Sequence, residues 1–247
     1  MTAPQVDVVI TTVGRPTLAQ AILAAAGQTY QPTRPVVLAD GPNDRARHVS
    51  DQITTFAGSI IYRETPEAAG HGNPVKASWI QNPQASPFIR FLDDDDWMPP
   101  ESVELMMRAM APGVSLVVGK YVNVVPALRG ASGHFMLRGG KCAAHHATTG
   151  TMLMRTAAAR EAAKLTDELD DWSRAQALAQ VGRVVCVDAV VYWAPRGRGV
   201  ANWRWDIERR RAILEAEIPA CADPRKRARL ERALANVQLQ LEEAECA

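Results

Sequence analysis

The chain has 247 residues, enough for one large domain or two small ones, and its 47% hydrophobic and 22% charged content is that of a soluble globular protein. A formal net charge of +1 excludes a global attraction to nucleic acid, and no nucleic-acid partner is expected. The N-terminus, MTAPQVDVVITT, has no basic n-region or apolar core and no later run has the length of a membrane span, so no transmembrane segment is expected and the expected location is cytoplasmic.

Four β-branched runs bounded by Gly, Pro or Asp read as strands: VDVVITT (6–12), PVVLAD (35–40), SIIYRE (59–64) and PFIRFLD (87–93). Helical patterns occupy 16–28, 44–56 and 74–82 between them. Strands alternating with helices of this length predict βαβ units, hence an α/β fold with a mainly parallel central sheet flanked by helices. In such sheets ligands sit beyond the carboxyl ends of the strands. Polar residues collect at those ends: Thr11 and Thr12 after the first strand, Asp40 to Asp44 after the second, Asp93 to Asp96 after the fourth. Three separate segments are therefore expected to meet at one crevice.

Residues 99–110 predict a helix that opens on two prolines and Glu101, all favourable in a first turn. The second half is less regular. VSLVVGKYVNVV (114–125) reads as one or two strands broken near Gly119, and ATTGTMLMR (147–155) as another. Helices at about 156–166 and 170–181 precede strand sequence in RVVCVDAVVYW (183–193). The loop APRGRGVAN leads into helical sequence from about 203, where Leu230, Leu234, Val237 and Leu241 recur at helical spacing. The basic runs RWDIERRR (204–211) and RKRARLER (225–232) read as a solvated helical face, or as a surface for an acidic partner, an anionic acceptor or a membrane. These C-terminal helices are also a candidate homodimer surface. Cys142, Cys186, Cys221 and Cys246 stand far apart without a CxxC pair, which fits reduced thiols better than a disulfide framework or a zinc site.

The run FIRFLDDDDWMPP (88–100) is the strongest local signal. Two unit charges about 4 Å apart repel by roughly 1 kcal/mol in water and by about 4 kcal/mol at an effective dielectric of ~20. A bound cation is one candidate for offsetting that repulsion. If the strand stays extended, Asp93 and Asp95 face one side and Asp94 and Asp96 the other. Mg²⁺ and Mn²⁺ prefer oxygen ligands and often take only one or two from the protein, sharing the rest with water and phosphate. An acidic loop or a helix cap is the competing reading. Asp170 and Asp171 likewise read either as chemistry or as first-turn acids that complement a helix dipole.

Other residues stay open between two uses. His145 and His146 in CAAHH read as loop residues, or as acceptor-pocket or metal-ligand side chains, and His71 as a surface residue or a donor contact. Trp193, Trp203 and Trp205 either pack in the core or stack on a sugar. Arg196, Arg198 and Asn202 lie in a loop that either closes over a diphosphate or serves only as a connector.

The order of these motifs resembles the family-two glycosyltransferases, nucleotide-sugar-dependent enzymes with a GT-A fold, over roughly residues 5–193. VVITTVGRPTLAQAILAAAGQTYQPTRPVVLADG is similar to that family's opening strand, Thr-containing loop, helix ending in Gln-Thr-Tyr, and second strand ending in Asp-Gly. FIRFLDDDDWMPPESVELM resembles its D-x-D segment, and DDWSRAQALAQVG (170–182) its acidic pair, Trp and following helix.

The resemblance implies a GT-A, Rossmann-like domain over 1–200, with a donor half at about 1–97 and an acceptor half at about 98–200, then a C-terminal helical extension over 201–247. It implies that Thr12 and Asp40, with Thr11 adjacent, contact the nucleoside. Asp93 and Asp95 match the D-x-D pair: Asp95 as direct metal ligand, Asp93 as ribose-side or supporting partner, with Asp94 in the donor-binding set. Asp171 matches the catalytic base, Asp170 its supporting neighbour and Trp172 a wall of the acceptor site. The implied reaction is inverting transfer of a sugar from a nucleoside-diphosphate donor, with Mn²⁺ or Mg²⁺, to a hydroxyl of a small-molecule or glycan acceptor.

Two departures stand out: Ala39 occupies the first place of an expected Asp-Asp-Gly-Ser, and Lys76 lies near a usual arginine. A lysine neutralises diphosphate as a point charge without a planar bidentate contact. The departures motivate an alternative, a catalytically impaired GT-A-like nucleotide-binding protein. A nucleotidyltransferase is a third reading, opposed by the absence of a glycine-rich N-terminal phosphate loop.

Overall fold

The computed structural model describes residues 3–57, 59–70, 72–125, 134–138, 148–166 and 171–195, and seven single positions between 211 and 234. The chain divides into two compact units, Met1–Arg196 and Gly197–Ala247. In the second unit the described positions are helical, and Arg211 pairs with Glu215 at 3.4 Å and Arg227 with Glu231 at 3.2 Å, both at i,i+4 spacing. The expected homodimer surface falls otherwise outside the described residues.

The first unit runs β1 (Val6–Thr12), α1 (Leu18–Ala26), β2 (Thr33–Ala39), α2 (Asp44–Ala57), β3 (Ile61–Glu64), α3 (Gly72–Gln81), β4 (Phe88–Asp93), α4 (Ser102–Ala109) and β5 (Val114–Val125). It continues with β6 (His134–Arg138), a 3-10 turn (Thr149–Thr151), β7 (Met152–Arg155), α5 (Thr156–Ala162), α6 (Asp171–Val181) and β8 (Arg183–Pro195). The sheet order is β3-β2-β1-β4-β7-β5-β6, with β8 also pairing β5. β3, β2, β1 and β4 are mutually parallel, β7 is antiparallel to β4 and β5, and β8 is parallel to β5.

Alternation along β1 explains why the sheet is covered on both faces. Val6, Val8 and Ile10 pack with Leu18, Ile22 and Ala25 of α1, Ile53 of α2 and Val103 and Met106 of α4. Val9 points the other way, toward Val75, Trp79 and Ile80 of α3 and the alanines of α5 and α6. Strands buried on both faces read as continuous apolar runs, as these do. Asp7 interrupts that run, and it is fully buried. Its carboxylate accepts from Arg34 Nε at 2.8 Å and Nη2 at 3.1 Å, Trp79 Nε1 at 3.0 Å, and Ser86 N and Oγ at 2.8 and 2.6 Å. The network ties β1, β2, α3 and the entry to β4 together at the end of the sheet away from the carboxyl termini of the strands.

Several expectations are corrected. β5 is one strand through Gly119, where an added Cβ would overlap the Val191 side chain, so that glycine permits close approach of β8 rather than ending a strand. α4 starts after the two prolines, at Ser102. Residues 147–155 resolve into the 3-10 turn and a four-residue strand. β6, short and set in glycine-containing sequence, was not anticipated. Cys186 is disulfide-bonded, against the expectation of reduced thiols. No helix among the described residues is long and apolar enough to cross a membrane.

Candidate active site

Strand register brings the first carboxylate into place. Thr11 on β1 lies opposite Asp93 at the end of β4, and its hydroxyl donates to Asp93 Oδ1 at 3.0 Å. Beyond Asp93 the strand does not continue: the Asp96 N–H donates to the Asp93 carbonyl at 3.0 Å, closing a turn. The four aspartates therefore depart from two-sided alternation, and each finds its own surroundings.

Asp94 is fully buried and turned into the β1–α1 loop. It accepts from the Thr12 hydroxyl at 2.5 Å, the Val13 and Arg15 N–H groups at 3.3 and 3.4 Å, and the Arg15 guanidinium. Both side chains, expected among the donor contacts, are bonded here to each other and to the loop. Gly14 completes that loop with φ +82°, and its N–H donates to Thr12 Oγ1 at 2.8 Å. Burial opposes the charge on Arg15, but Asp94, Asp95 and Asp93 together carry its pKa above the ordinary value.

Asp93 keeps two-fifths of its side chain open, and Lys76 of α3 pairs with it at 2.8 Å. Burial works against its ionisation, yet the Lys76 ammonium and the Thr11 hydroxyl outweigh it and hold the carboxyl below its usual range. Lys76 is itself buried, lies over the Phe91 ring at 6.0 Å, and donates its second bond to Thr149 Oγ1 at 3.2 Å. Two of its three ammonium protons are thus directed at protein partners, Asp93 and Thr149.

Thr149 extends the chain to Asp171 at the start of α6. Its hydroxyl donates to Asp171 Oδ1 and its N–H to Oδ2 at 2.9 Å. Arg174 lies one turn along, 4.0 Å from Asp171 Oδ1 and over the Phe91 ring at 5.7 Å. Asp171 and Asp93, 78 positions apart in sequence, are joined through Thr149 and Lys76.

Asp96 receives the Tyr192 hydroxyl of β8. Burial first, then Asp93 and Asp95, push its carboxyl up to about 8. Burial first, then Asp96 and Asp93, raise the Tyr192 phenol as well. Asp95 is pushed up by burial and by Asp94 and Asp93, against the opposing pull of Arg15. Its distance to Arg15 Nη1 is 3.6 Å, outside hydrogen-bond length. Asp93 thus has Lys76, Asp94 has Arg15 and Asp96 has Tyr192, while Asp95 holds only the outer share of a cation already paired.

Asp40 lies at the mouth of β2, its N–H donating to the Thr12 carbonyl at 2.9 Å and its Oδ1 accepting from Ala69 N–H at 2.6 Å. The second bond holds the loop after β3 against the β2 end. Gly72, the first residue of α3, packs beside Thr11, where a Cβ would lie 3.1 Å from its hydroxyl.

Sequence reasoning missed Thr149, Arg15, Tyr192 and Arg90. Only Arg90 carried a visible signal, a charge within the apolar run FIRFLD. It is fully buried, donating to Gly150 O at 3.1 Å, to Met106 Sδ at 3.1 Å and to Val191 O, and burial pushes its pKa down to about 9. His71, His145, His146, Asp170, Arg196, Arg198, Asn202, Trp203 and Trp205 lie outside the described residues, as do the side chains of Trp172 and Trp193.

Among the described residues no group of three His, Cys, Asp or Glu forms a metal cage of its own. The donor set does suit a hard divalent cation shared with a ligand phosphate, since Asp95 offers a carboxylate whose nearest cation, Arg15, stands at 3.6 Å, beside the ionised Asp93.

Carboxylates gathered at the carboxyl ends of parallel strands, linked through Lys76 and Thr149 to Asp171 at the start of α6, lie on the α/β frame of a GT-A glycosyltransferase. The chain belongs to glycosyl transferase family 2, whose model matches residues 7–157, and it is a glycosyltransferase. Solved structures agree in fold. TarS of S. aureus in complex with UDP is similar at 15% identity and TM-score 0.59, over 96% of this chain and 71% of that one. The mannosyltransferase PcManGT from Pyrobaculum calidifontis, in complex with GDP-Man and Mn²⁺, is similar at 14% identity and TM-score 0.60, over 100% and 76% of the two chains. GalNAc-T7 with UDP, GalNAc and Mn²⁺ is similar at 11% identity and TM-score 0.62, over 78% of this chain and 44% of that one. A search of curated protein sequences gives no match.

Proposed function

We propose that this chain is a metal-dependent, inverting glycosyltransferase that moves a sugar from a nucleoside-diphosphate donor to a hydroxyl of a small-molecule or glycan acceptor, with Asp171 as general base. The observation that carries this reading is the linkage of Asp171 to Asp93 through Thr149 and Lys76, which sets an acceptor-side acid beside the donor-side carboxylates. Family membership favours it over a nucleotidyltransferase. The structural neighbours in complex with UDP, GDP-Man and Mn²⁺ supply the analogy for donor and metal.

In this mechanism Asp40 and Thr11 border the nucleoside and ribose, and Asp95, with Asp93 beside it, would hold Mn²⁺ or Mg²⁺. When bound, the cation stabilises the charge that develops on the departing diphosphate. Asp171 accepts the proton of the acceptor hydroxyl as its oxygen bonds to the anomeric carbon. The bond from that carbon to the diphosphate breaks on the opposite face, so configuration inverts and no covalent enzyme intermediate forms. Asp93 stays ionised because Lys76 and Thr11 stabilise its anion, which keeps a negative charge beside the cation. A cytoplasmic location belongs to this proposal too, and the disulfide at Cys186 is the feature that weighs against a reducing compartment.

The test is Asp171→Asn. Loss of a general base costs about 10²–10⁴-fold in rate, while affinity for the nucleoside diphosphate with Mn²⁺ stays as in the unmodified protein. Transfer at an unchanged rate removes Asp171 from the role.

A further inference from the structure

We propose that Thr149 and Lys76 form a positioning relay between Asp93 and Asp171, in which Thr149 holds the Asp171 carboxylate in the orientation that receives the acceptor proton. The proposal rests on the assignment of Asp171 as base.

The direction of each bond follows from the donor inventory. An ammonium only donates and an ionised carboxylate only accepts, whereas a threonine hydroxyl has one proton to give. Lys76 donates to Asp93 at 2.8 Å and to Thr149 Oγ1 at 3.2 Å. The Thr149 proton is then directed at Asp171 Oδ1, while the Thr149 N–H takes Oδ2 at 2.9 Å. Two donors from one residue, one to each oxygen, oppose rotation of the carboxylate about its Cβ–Cγ bond. A lone pair on each oxygen remains for the acceptor.

Thr149 is itself held still. Its 3-10 turn is closed by the Thr148 N–H donating to Thr151 Oγ1 at 3.0 Å and by Thr151 N and Oγ1 donating to the Thr148 carbonyl at 2.9 and 2.8 Å. The next residue, Gly150, packs its α-carbon against the Tyr192 ring with no room for a side chain, and its carbonyl is taken by buried Arg90 at 3.1 Å. Arg90 stands on β4, three positions before Asp93. The strand that delivers the donor-side carboxylate therefore also anchors the turn that orients the acceptor-side one. A cap serving only the helix dipole would engage N–H groups of α6, whereas here both Asp171 oxygens engage Thr149.

The experiment compares Thr149→Val, Thr149→Ser, Lys76→Met and Asp171→Asn in the full chain. It reads kcat and donor KM for transfer or donor hydrolysis, calorimetric affinity for UDP and GDP with Mn²⁺, and Tm. Thr149→Val is expected to lower kcat about 10–100-fold, as loss of a partner behind a functional group does. Donor KM and nucleotide affinity should stay within about twofold, since the lost contact acts on the reaction and not on donor binding. Thr149→Ser, which keeps the hydroxyl, should recover most of kcat, and Thr149→Val should add nothing in the Asp171→Asn background. If Thr149→Val fails to fold, Lys76→Met reads the other end of the relay and should lower kcat at temperatures where the variant, by its own Tm, is fully folded. Wild-type kcat in Thr149→Val or in Lys76→Met overturns the relay, as does a parallel loss of kcat and nucleotide affinity in Thr149→Val. An inactive Asp171→Asn with a fully active Thr149→Val leaves the base in place and removes only the relay. An active Asp171→Asn removes the base itself.

Discussion

Replacing Asp94 by alanine separates a residue that supports the β1–α1 loop from one that touches a ligand. The carboxylate is fully buried and accepts from Thr12 Oγ1 at 2.5 Å, Val13 N at 3.3 Å, Arg15 N at 3.4 Å and the Arg15 guanidinium. Removing one partner of a buried ion pair costs about 3–5 kcal/mol, because the remaining charge is left uncompensated. Arg15 is a quarter exposed and can turn toward water, so the lower end, about 3 kcal/mol, applies. At about 2–4 °C per kcal/mol for a unit of this size, Tm should fall by about 6–12 °C. Urea titration should give the same loss from the midpoint at unchanged slope. In an Arg15→Met background the cost should shrink by about 1–3 kcal/mol, since the two residues share one interaction. A stability loss below about 1 kcal/mol together with a more than tenfold loss of nucleotide affinity would show Asp94 to be a donor contact and refute the strut.

Other outcomes follow from the same geometry. Asp7→Ala should lose about 3–5 kcal/mol by stranding Arg34, Trp79 Nε1 and Ser86, yet leave nucleotide affinity intact because that network lies at the far end of β1. A parallel loss of affinity would contradict the separation. Asp95→Ala should abolish the Mn²⁺-dependent part of nucleoside-diphosphate binding measured by thermal shift, and unchanged affinity with Mn²⁺ removes Asp95 as the ligand. In metal-free protein the Asp96 carboxyl is pushed up from 3.8 to about 8, so the folded state binds its proton more tightly than the unfolded state. Its contribution is then fully present below about pH 4 and lost as pH rises toward 8. Asp93 is shifted the other way, so its contribution is present above the ordinary carboxylate range and lost only below it. Tm measured from pH 5 to 9 should therefore fall less steeply in Asp96→Asn than in the unmodified protein, and an identical slope counts against the Asp96 shift.

Much of the first half of the chain was legible because its signals are local. β-branched runs of strand length alternate with helical periodicity through residue 93, and the ends of β1, β2 and β4 are marked by Thr, Asp and Asp. Parallel strands place those ends at one edge whatever the details of packing, so their meeting followed from order alone. The second half was read less well. β6 carries no turn signal strong enough to announce it, and Gly119 looked like a break because sequence does not reveal that Val191 packs against it.

Within the site, the sequence by itself determined which residue types meet: four carboxylates after β4, a further acid before α6, and a lysine on α3. Only the tertiary structure decided what each one does. Alternation assigned Asp93 and Asp95 to one side, yet the chain turns at Asp93, and the environment of each aspartate is then set by a distant segment: Lys76, Arg15 or Tyr192. That Lys76 pairs with Asp93 and donates to Thr149 is visible only in the fold. Thr149 had no signal at all, because a threonine among small residues is common and its meaning comes from a carboxylate 22 positions later. Charge type is written in the chain, but the pairing of charges is a property of contacts between segments far apart in sequence. Here those contacts give Asp93, Asp94 and Asp96 each a partner from a different segment.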